Sequence, residues 1–372
     1  MTARVLADEE RLAWLRLIRS ENIGPIIFRE LIEAYDSAAQ ALAALPELSR
    51  KGGLRRAIRL CSPADAEAEI SAAAAVGARF VASCEPDYPA LLRHVDGAPP
   101  LICLKGRTDL LAREAVAIVG SRNASANGKR LARLFASELA SAGFTIVSGL
   151  ARGIDTAAHE AALERGTVAV LGNGVDIVYP PENARLQEAI ARDGALVSET
   201  PPGAEPRAES FPRRNRIISG MSRAVIIVEA ALRSGSLITA RFANEQGREV
   251  FAVPGSPLDP RSEGTNRLIS EGAHLLSKSQ DVLDAIAAMR PPVQESIARK
   301  APADRPRAAE DERPARGAIL ALLSPAPTDI DDLIRESGVP AQVVLGILLE
   351  LELAGRLVRH GRQLVSLIGP LP

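Results

Sequence analysis

Short apolar runs rich in Val, Ile and Leu alternate with amphipathic stretches between residues 76 and 289. The amphipathic stretches include residues 128–141 and 154–165, where apolar positions recur at helical spacing. Near-continuous apolar strands separated by helices indicate a parallel, doubly wound sheet, here an extended Rossmann-like α/β domain. The predicted strands are residues 100–105, 115–119, 144–147, 167–171, 195–198, 224–228 and 249–253.

Residues 1–75 follow a helical pattern that is interrupted by a turn signal at Gly24-Pro25. Two helices around such a turn resemble SAM-like or helix-hairpin-helix domains, in which the amides of the hairpin can contact a DNA backbone. The alternative is a small helical bundle used only for packing, which the lack of Lys or Arg in residues 21–25 favours. The apolar positions that set the helical spacing are Leu12, Leu15, Ile18, Ile27, Leu31 and Tyr35.

The C-terminal part divides into a linker and a small folded module. Residues 290–314 are rich in Pro and charge and have few large apolar side chains, so they predict a disordered linker. Residues 315–372 predict helices over 318–323, 330–337 and 341–353 and a β-hairpin over 356–367, which is a winged helix. The predicted domains are therefore residues 1–75, 76–289 and 315–372.

The predicted recognition helix, residues 341–353, has no Lys or Arg and carries Glu350 and Glu352. Phosphates would repel such a helix, so we interpret the winged helix as a protein-contact or regulatory module. The hairpin residues Arg356, Arg359 and Arg362 are the remaining candidates for DNA contact.

Charge and composition narrow the function. A formal net charge of −1 gives no global attraction to polyanions, so any such ligand needs a local basic patch. Residues 207–223 supply one, with five Arg against Glu209 alone, although a solvated basic face is the alternative. Scattered cysteines, no signal peptide and no long apolar run predict a cytoplasmic protein that does not enter the membrane.

Glycine-rich loops follow several predicted strands, and arginines lie beside them. In a parallel sheet these loops gather at one edge, where small residues let backbone amides approach an anion. Arg122 and Arg152 follow two strands, and guanidinium groups bind phosphate oxygens in a fixed fork. The sequence therefore predicts a phosphate-binding cleft between Gly120 and Gly255.

The sequence does not match the stricter motifs for nucleotide binding or catalysis. Residues 120–129 have the wrong glycine spacing for a Walker A loop, and Ile177 stands where GxGxxG needs its last glycine, so no nucleotide cofactor is predicted. No metal-ligand pattern occurs, and Asp155 and His159, four residues apart, favour a local structural contact over acid–base chemistry. The sequence predicts a protein that is not an enzyme. An N-glycosidic hydrolase of nucleotides or ribosyl phosphates, using Glu229 at a strand end, is the alternative.

The chain resembles the DNA processing protein A family (DprA, also called Smf) over about residues 100–275. The resemblance rests on five motifs in family order: residues 117–122, 147–155 with His159, 170–180, 211–216, and 234–238 with 253–255. It implies a homodimer, formed through the Rossmann domain, that binds single-stranded DNA. It also implies that the protein protects incoming strands during natural transformation and loads the recombinase RecA onto them.

Motifs and resemblance together predict one set of DNA-contacting residues. Phe211 and Tyr179 are the candidates for stacking on bases, with core packing as the alternative. The chain departs from the family where a lysine often follows Tyr-Pro, because Pro181 and Glu182 stand there. The predicted contacts are Gly120, Ser121, Arg122, Ser148, Gly149, Arg152, Gly153, Tyr179, Arg207, Phe211, Arg213, Arg214, Asn215 and Arg216.

Overall fold

The computed structural model describes residues 4–289, 312–360 and 363–368 of the chain. The described residues form two compact units. The Rossmann unit comprises those in Met1–Leu6 and Glu67–Val293, and the helical unit those in Ala7–Ala66 and Gln294–Pro372. Residues 290–311 of the predicted linker, and Arg362 and the turn of the predicted hairpin, lie outside the described residues.

The helices are α1 (Asp8–Arg19), α2 (Pro25–Tyr35), α3 (Ala38–Lys51), α4 (Pro63–Ala75), α5 (Ala90–Arg93), α6 (Ala126–Ser141), α7 (Ile154–Ala162), α8 (Ala184–Asp193), α9 (Ser210–Gly220), α10 (Gly235–Glu245), α11 (Glu263–Ser270), α12 (Ser279–Ala288), α13 (Glu312–Leu322), α14 (Ile330–Ser337) and α15 (Ala341–Leu353). The strands are β1 (Ala78–Ala82), β2 (Leu101–Gly106), β3 (Ala115–Val119), β4 (Thr145–Ser148), β5 (Thr167–Leu171), β6 (Ala195–Ser198), β7 (Ala224–Ile227), β8 (Glu249–Ala252), β9 (His274–Leu275), β10 (Thr328–Asp329), β11 (Leu357–His360) and β12 (Leu364–Leu367). None of the helices in the described residues is long and apolar enough to cross a membrane.

The Rossmann unit is built on a nine-stranded sheet in the order β1-β2-β6-β5-β4-β3-β7-β8-β9. Strands β3 to β9 pair in parallel, which confirms the predicted fold class. The β1 and β2 edge is antiparallel. The connection between these two strands contains only the four-residue helix α5, and an antiparallel pair needs no long crossover.

Both faces of the sheet are buried, which explains the near-continuous apolar strands. Along β3, Ala117 and Val119 face one hydrophobic cluster, and Val116 and Ile118 face the other. Alternate residues of a strand point to opposite faces, so a strand covered by helices on both sides has no polar face. Because β3, β4, β5 and β7 run parallel to one another, their carboxyl ends meet at one edge of the sheet. The glycine-rich loops begin at this edge.

The helical unit contains α1–α3 and a winged helix made of α13–α15 and the three-stranded sheet β10-β12-β11. Within this unit α15 packs between the winged-helix core and α3. Ile347, Leu348 and Leu351 belong to the winged-helix core. On the α3 side, a Cβ built at Gly52 would lie 1.8 Å from the carbonyl oxygen of Glu350, and Asn22 donates to the carbonyl of Leu353 at 3.0 Å.

Charged residues of the winged helix are neutralised inside the helical unit. Glu350 and Glu352, on α15, are 5% and 7% exposed. Arg316 pairs with Glu350, and Arg359 pairs with Glu352 at 2.8 Å and with Glu30 of α2 at 2.8 Å. Arg359 therefore holds an ion pair inside the protein, and it is no longer a candidate for DNA contact in this conformation.

Candidate functional site

Two adjoining cavities lie where the loops after the parallel strands meet. Their volumes are about 460 and 770 Å³. Because they share several lining residues, they form one continuous cleft at the carboxyl edge of the sheet. The shared lining residues are Arg122, Asn123, Ala151, Tyr179, Phe211 and Arg214.

Phe211 contacts an arginine and a second aromatic residue inside the cleft. The guanidinium carbon of Arg122 lies 5.6 Å from the centroid of the Phe211 ring, which is a cation–π distance. The ring of Tyr179 lies 5.3 Å from it at an interplanar angle of 32°. Gly172 makes room for this arrangement, because a Cβ there would come within 3.1 Å of the Phe211 ring. Both aromatic side chains are only half-buried, so they present ring surface to the cleft.

Several arginines in and beside the cleft have no acidic partner. Arg122 and Arg233 are exposed and line it. Arg207 and Arg213 are also exposed and lie directly beside residues that line it. No ion pair joins any of these four to another residue of the described part of the chain. Guanidinium donors without a carboxylate partner remain available to a phosphate.

Arg152 differs from these arginines, because it is paired within the protein. Its guanidinium lies 2.7 Å from the carboxylate of Glu182, and both side chains are more than half exposed. Pro181 and Glu182 stand where the sequence departs from the family pattern. A phosphate that approaches Arg152 therefore competes with the Glu182 carboxylate.

The segment 211–216 forms the first turns of α9, so its arginines point in different directions. Arg213 is exposed, whereas Arg214 is buried and donates to the carbonyls of Gly149, at 2.7 Å, and Val170. Asn215 donates to the carbonyl of Gly235 at 3.2 Å. Arg216 forms a two-oxygen pair with Glu199 at 2.6 Å. Among the arginines of this segment, only Arg213 has a guanidinium without a partner in the described part of the chain.

The loop after β4 has part of its backbone bound by buried side chains. The Asp155 carboxylate accepts from the amides of Gly149, at 3.0 Å, and Ala151, at 3.3 Å. Ser148 is fully buried, and its hydroxyl donates to the carbonyl of Ile118 at 2.6 Å. Gly149 lines the smaller cavity although its amide is bound, whereas Ser148 lines neither cavity, and the DNA contacts predicted at both residues stay predictions.

Gly153 directly precedes α7 and has a backbone conformation that only glycine adopts readily. Its φ is +81°, and a Cβ there would lie 2.3 Å from the carbonyl oxygen of Ser121. The amide of Ile154 donates to the same oxygen at 3.2 Å. The loops after β3 and β4, which carry Arg122 and Arg152, are therefore locked to each other.

His159 is a buried structural residue. Its Nδ1 lies 2.7 Å from the hydroxyl of Thr167, which donates to the carbonyl of Ile146 at 2.8 Å. Nδ1 must therefore be the protonated nitrogen. Burial lowers the pKa of His159 to about 3, with a further contribution from the charge of Arg214. His159 bonds to Thr167 and Asp155 to the Gly149 and Ala151 amides, so the predicted local contact between these two side chains is not found, although both residues are structural.

Glu229, the candidate for glycosidic chemistry, is bound at the start of α6. Its carboxylate accepts from the amide of Ser125 at 2.9 Å and from the Ser125 hydroxyl. The Ser125 hydroxyl in turn accepts from the amide of Gly128 and caps the helix. No group of three or more potential metal ligands occurs within residues 4–289, 312–360 and 363–368.

Sequence reasoning missed some residues of the cleft. Asn123 lines both cavities, and Arg233 lines the larger one. Arg233 lies directly before the Ser-Gly-Ser motif at 234–236, which was a usable signal. Asn183 donates to the carbonyl of Leu150 at 2.9 Å. Because these residues are distant in the chain, no local sequence pattern predicts this contact.

Three family profiles match consecutive parts of the chain. The profile described as DNA recombination-mediator protein A matches residues 79–287. The chain belongs to the DNA processing protein A (DprA) family. The DprA-like N-terminal HHH domain matches residues 8–72 and the DprA winged helix domain residues 302–361.

Individual DprA relatives agree with the profiles. Protein Smf of Escherichia coli is 42% identical over 283 residues, covering 72% of each chain. DNA processing protein DprA of Streptococcus pneumoniae is 50% identical over 198 residues, covering 53% of this chain and 70% of its own.

Two solved DprA structures resemble the fold. The X-ray structure of DprA from S. pneumoniae matches with a TM-score of 0.62 and 38% identity, covering 75% of this chain and 98% of that one. A Helicobacter pylori DprA structure, reported for its single-stranded DNA binding mode, matches with a TM-score of 0.52 and 32% identity over 56% of this chain and 95% of that one.

Proposed function

We propose that the cleft binds single-stranded DNA. The observation that carries the proposal is the set of exposed, unpaired arginines around the half-buried Phe211 and Tyr179 rings. Single strands are held by a basic groove that follows the phosphates, together with aromatic surfaces on which bases stack. In this proposal four arginines bind the phosphates, and Phe211 offers the stacking surface. The four are Arg122, Arg207, Arg213 and Arg233. The binding mode reported for the H. pylori relative supports the same ligand.

The geometry favours a single strand over a duplex. The aromatic surface lies among loops at the edge of the sheet, inside cavities of about 460 and 770 Å³. In duplex DNA the bases are already stacked on one another, so they cannot reach this ring surface. Only a strand with exposed bases can engage the phosphate and aromatic groups together.

Membership of the DprA family supports a role for this proposed activity in DNA processing during natural transformation. We infer that the protein covers incoming single strands in the cytoplasm and loads RecA onto them. It acts as a homodimer formed through the Rossmann unit. No cofactor and no catalytic turnover are part of this function.

The hydrolase alternative has weaker support. A strand-end carboxylate that cleaves a glycosidic bond must be free to approach the sugar, whereas the Glu229 carboxylate is bound to the amide and hydroxyl of Ser125. The cleft also has more cations than one nucleotide phosphate requires.

Replacing Arg122 tests the proposed function. We expect Arg122→Ala to weaken binding of a dT oligonucleotide roughly tenfold to a hundredfold, because a charge-assisted contact and the cation over Phe211 are both lost. The matched control is Arg165→Ala, which removes an exposed arginine that precedes the amino end of β5, at the opposite edge of the sheet.

The measurement is fluorescence anisotropy with single-stranded and duplex oligonucleotides, beside an assay for base release from nucleoside monophosphates. Tighter binding of the single strand, lost in Arg122→Ala and kept in Arg165→Ala, supports the proposal. Equal affinity for duplex, or base release at an enzymatic rate, would contradict it.

A further inference from the structure

We propose that Asp155 and Arg214 are positioning residues for DNA binding. They hold the loop after β4 so that its free amides face the phosphates, and they do not bind the DNA themselves. This inference rests on the proposed function of the cleft. It gives Arg214 a role different from the direct contact that the sequence predicts.

The first observation is that oppositely charged side chains hold the two sides of one residue. The Gly149 amide donates to Asp155 at 3.0 Å, and the Gly149 carbonyl accepts from Arg214 at 2.7 Å. Arg214 also donates to the carbonyl of Val170, at the end of β5. The pair therefore joins the loop after β4 to the neighbouring strand and to α9.

The second observation is that Asp155 and Arg214 leave some amides of the loop after β4 without a hydrogen bond. Asp155 binds the amides of Gly149 and Ala151. The amides of Leu150, Arg152 and Gly153 make no hydrogen bond within the described residues. Leu150 is fully buried, whereas Arg152 is exposed and lines the smaller cavity and Gly153 is half-buried. The free amides of Arg152 and Gly153 are therefore the ones that an anion can reach, beside the amides that Asp155 holds.

The third observation is backbone strain in the same loop. Leu150 has a φ of +55°, in the left-handed region that a residue with a branched side chain seldom adopts. Such a conformation persists only where the surrounding structure fixes it. Bonds to both neighbours of Leu150, together with the bond from Asn183 to its carbonyl, supply that constraint.

The buried charges balance each other. Both side chains are almost fully buried, with Asp155 5% and Arg214 7% exposed. Burial raises the pKa of Asp155 and lowers the pKa of Arg214 to about 10, and in each case the partner's charge opposes the shift. Arg214 lines both cavities and Asp155 the larger one, but both side chains are bound to backbone groups of the fold, which is why we assign them the shared function of fixing the loop.

Asp155→Ala tests the proposal, because positioning and simple electrostatics predict opposite changes in DNA affinity. Removing an acid near a polyanion site should strengthen DNA binding if charge alone matters. If Asp155 positions the loop, binding weakens by about tenfold, since the variant has no acceptor for the Gly149 and Ala151 amides and the amide contacts to phosphate are misplaced. The salt dependence of binding stays as in the wild type, because the phosphate-binding arginines are intact.

Arg214→Lys is the second variant and keeps the positive charge. A direct phosphate contact would be largely preserved in it, whereas the shorter Lys side chain loses the Nη1 nitrogen that donates to both the Gly149 and the Val170 carbonyls. We expect it to resemble Asp155→Ala, with weaker binding at an unchanged salt slope. Binding equal to wild type in both variants, or tighter binding in Asp155→Ala, would overturn the proposal.

Amide hydrogen exchange of the wild-type protein gives a result that does not depend on whether a variant folds. Before DNA is added, the amides of Gly149, Leu150 and Ala151 should exchange slowly and those of Arg152 and Gly153 fast. A dT oligonucleotide should slow the second group. If DNA binds but leaves that group fast, the positioning role is wrong while the proposed function stands. If the wild type does not bind DNA, the proposed function itself fails.

Discussion

The arginines of the cleft and those of the winged helix are used in opposite ways. Around the cleft Arg122 and Arg213 are exposed and have no acidic partner within the described residues. In the helical unit the side chain of Arg359 is 9% exposed and is held between Glu352 and Glu30. An unpaired guanidinium is available to an incoming phosphate, whereas a buried and paired one contributes to the fold.

The comparison shows why a motif alone does not assign DNA binding. In a helix-turn-helix protein the second helix lies in the major groove and needs one free face. Here α15 is covered on its core side and also by α3, and its two glutamates are neutralised inside the unit. In this conformation the winged helix contacts the N-terminal helices of its own chain, and we assign DNA binding to the Rossmann unit.

Breaking the buried ion pair between Arg359 and Glu352 should give the largest effect, a loss of unfolding free energy. Arg359→Ala leaves Glu352 buried without its partner, so we expect the helical unit to lose about 3 kcal/mol or more of unfolding free energy. Urea denaturation measures it. The matched control is Arg335→Ala, which breaks an exposed pair with Asp332 on α14 and should change stability by less than about 1 kcal/mol. Similar losses in both variants would contradict the contrast between buried and exposed pairs.

Removing the aromatic surface should have the next largest effect. Phe211→Leu keeps an apolar side chain beside Gly172 but removes the ring face, so we expect roughly tenfold weaker binding of a dT oligonucleotide. Thermal unfolding of the variant checks that the fold is kept. Phe242→Leu is the control, because Phe242 also packs under an arginine, Arg241, but lines neither cavity of the cleft. Unchanged binding in Phe211→Leu would remove the stacking role.

Releasing Arg152 should have the smallest effect, and in the opposite direction. Glu182→Gln removes the carboxylate that pairs with Arg152, so single-stranded DNA should bind about two to three times more tightly. The measurement is a titration at low salt, where surface charges are least screened. Weaker binding of this variant would show that Glu182 supports the site and does not compete for it.

The sequence predicted the central sheet well because its strands are buried on both faces. Residues 115–119, 167–171 and 195–198 are strands with the predicted bounds. Strand β9 was missed because it has two exposed residues and therefore no apolar signal. Strand β1 was also missed, and the antiparallel edge could not be predicted, since pairing partners are set by contacts between distant parts of the chain.

For the cleft, sequence located the loops but not the direction of each side chain. Arg213 and Arg214 are adjacent in sequence, yet one is exposed and the other binds two carbonyls inside the fold. Helical geometry separates neighbours by about 100°, but which of them faces inward depends on Gly149 and Val170, which are distant in the chain. The same limit applies to Asp155, whose partners are set by the fold of the loop.

The salt dependence of single-stranded DNA binding, compared between wild type and Arg122→Ala, tests the central claim most directly. Each phosphate held contributes roughly −0.7 to the slope of log K against log salt concentration. We predict a steep negative slope for the wild type, and a slope shallower by about 0.7 together with weaker binding for Arg122→Ala. A wild-type slope near zero, or the same slope in both proteins, would contradict the account.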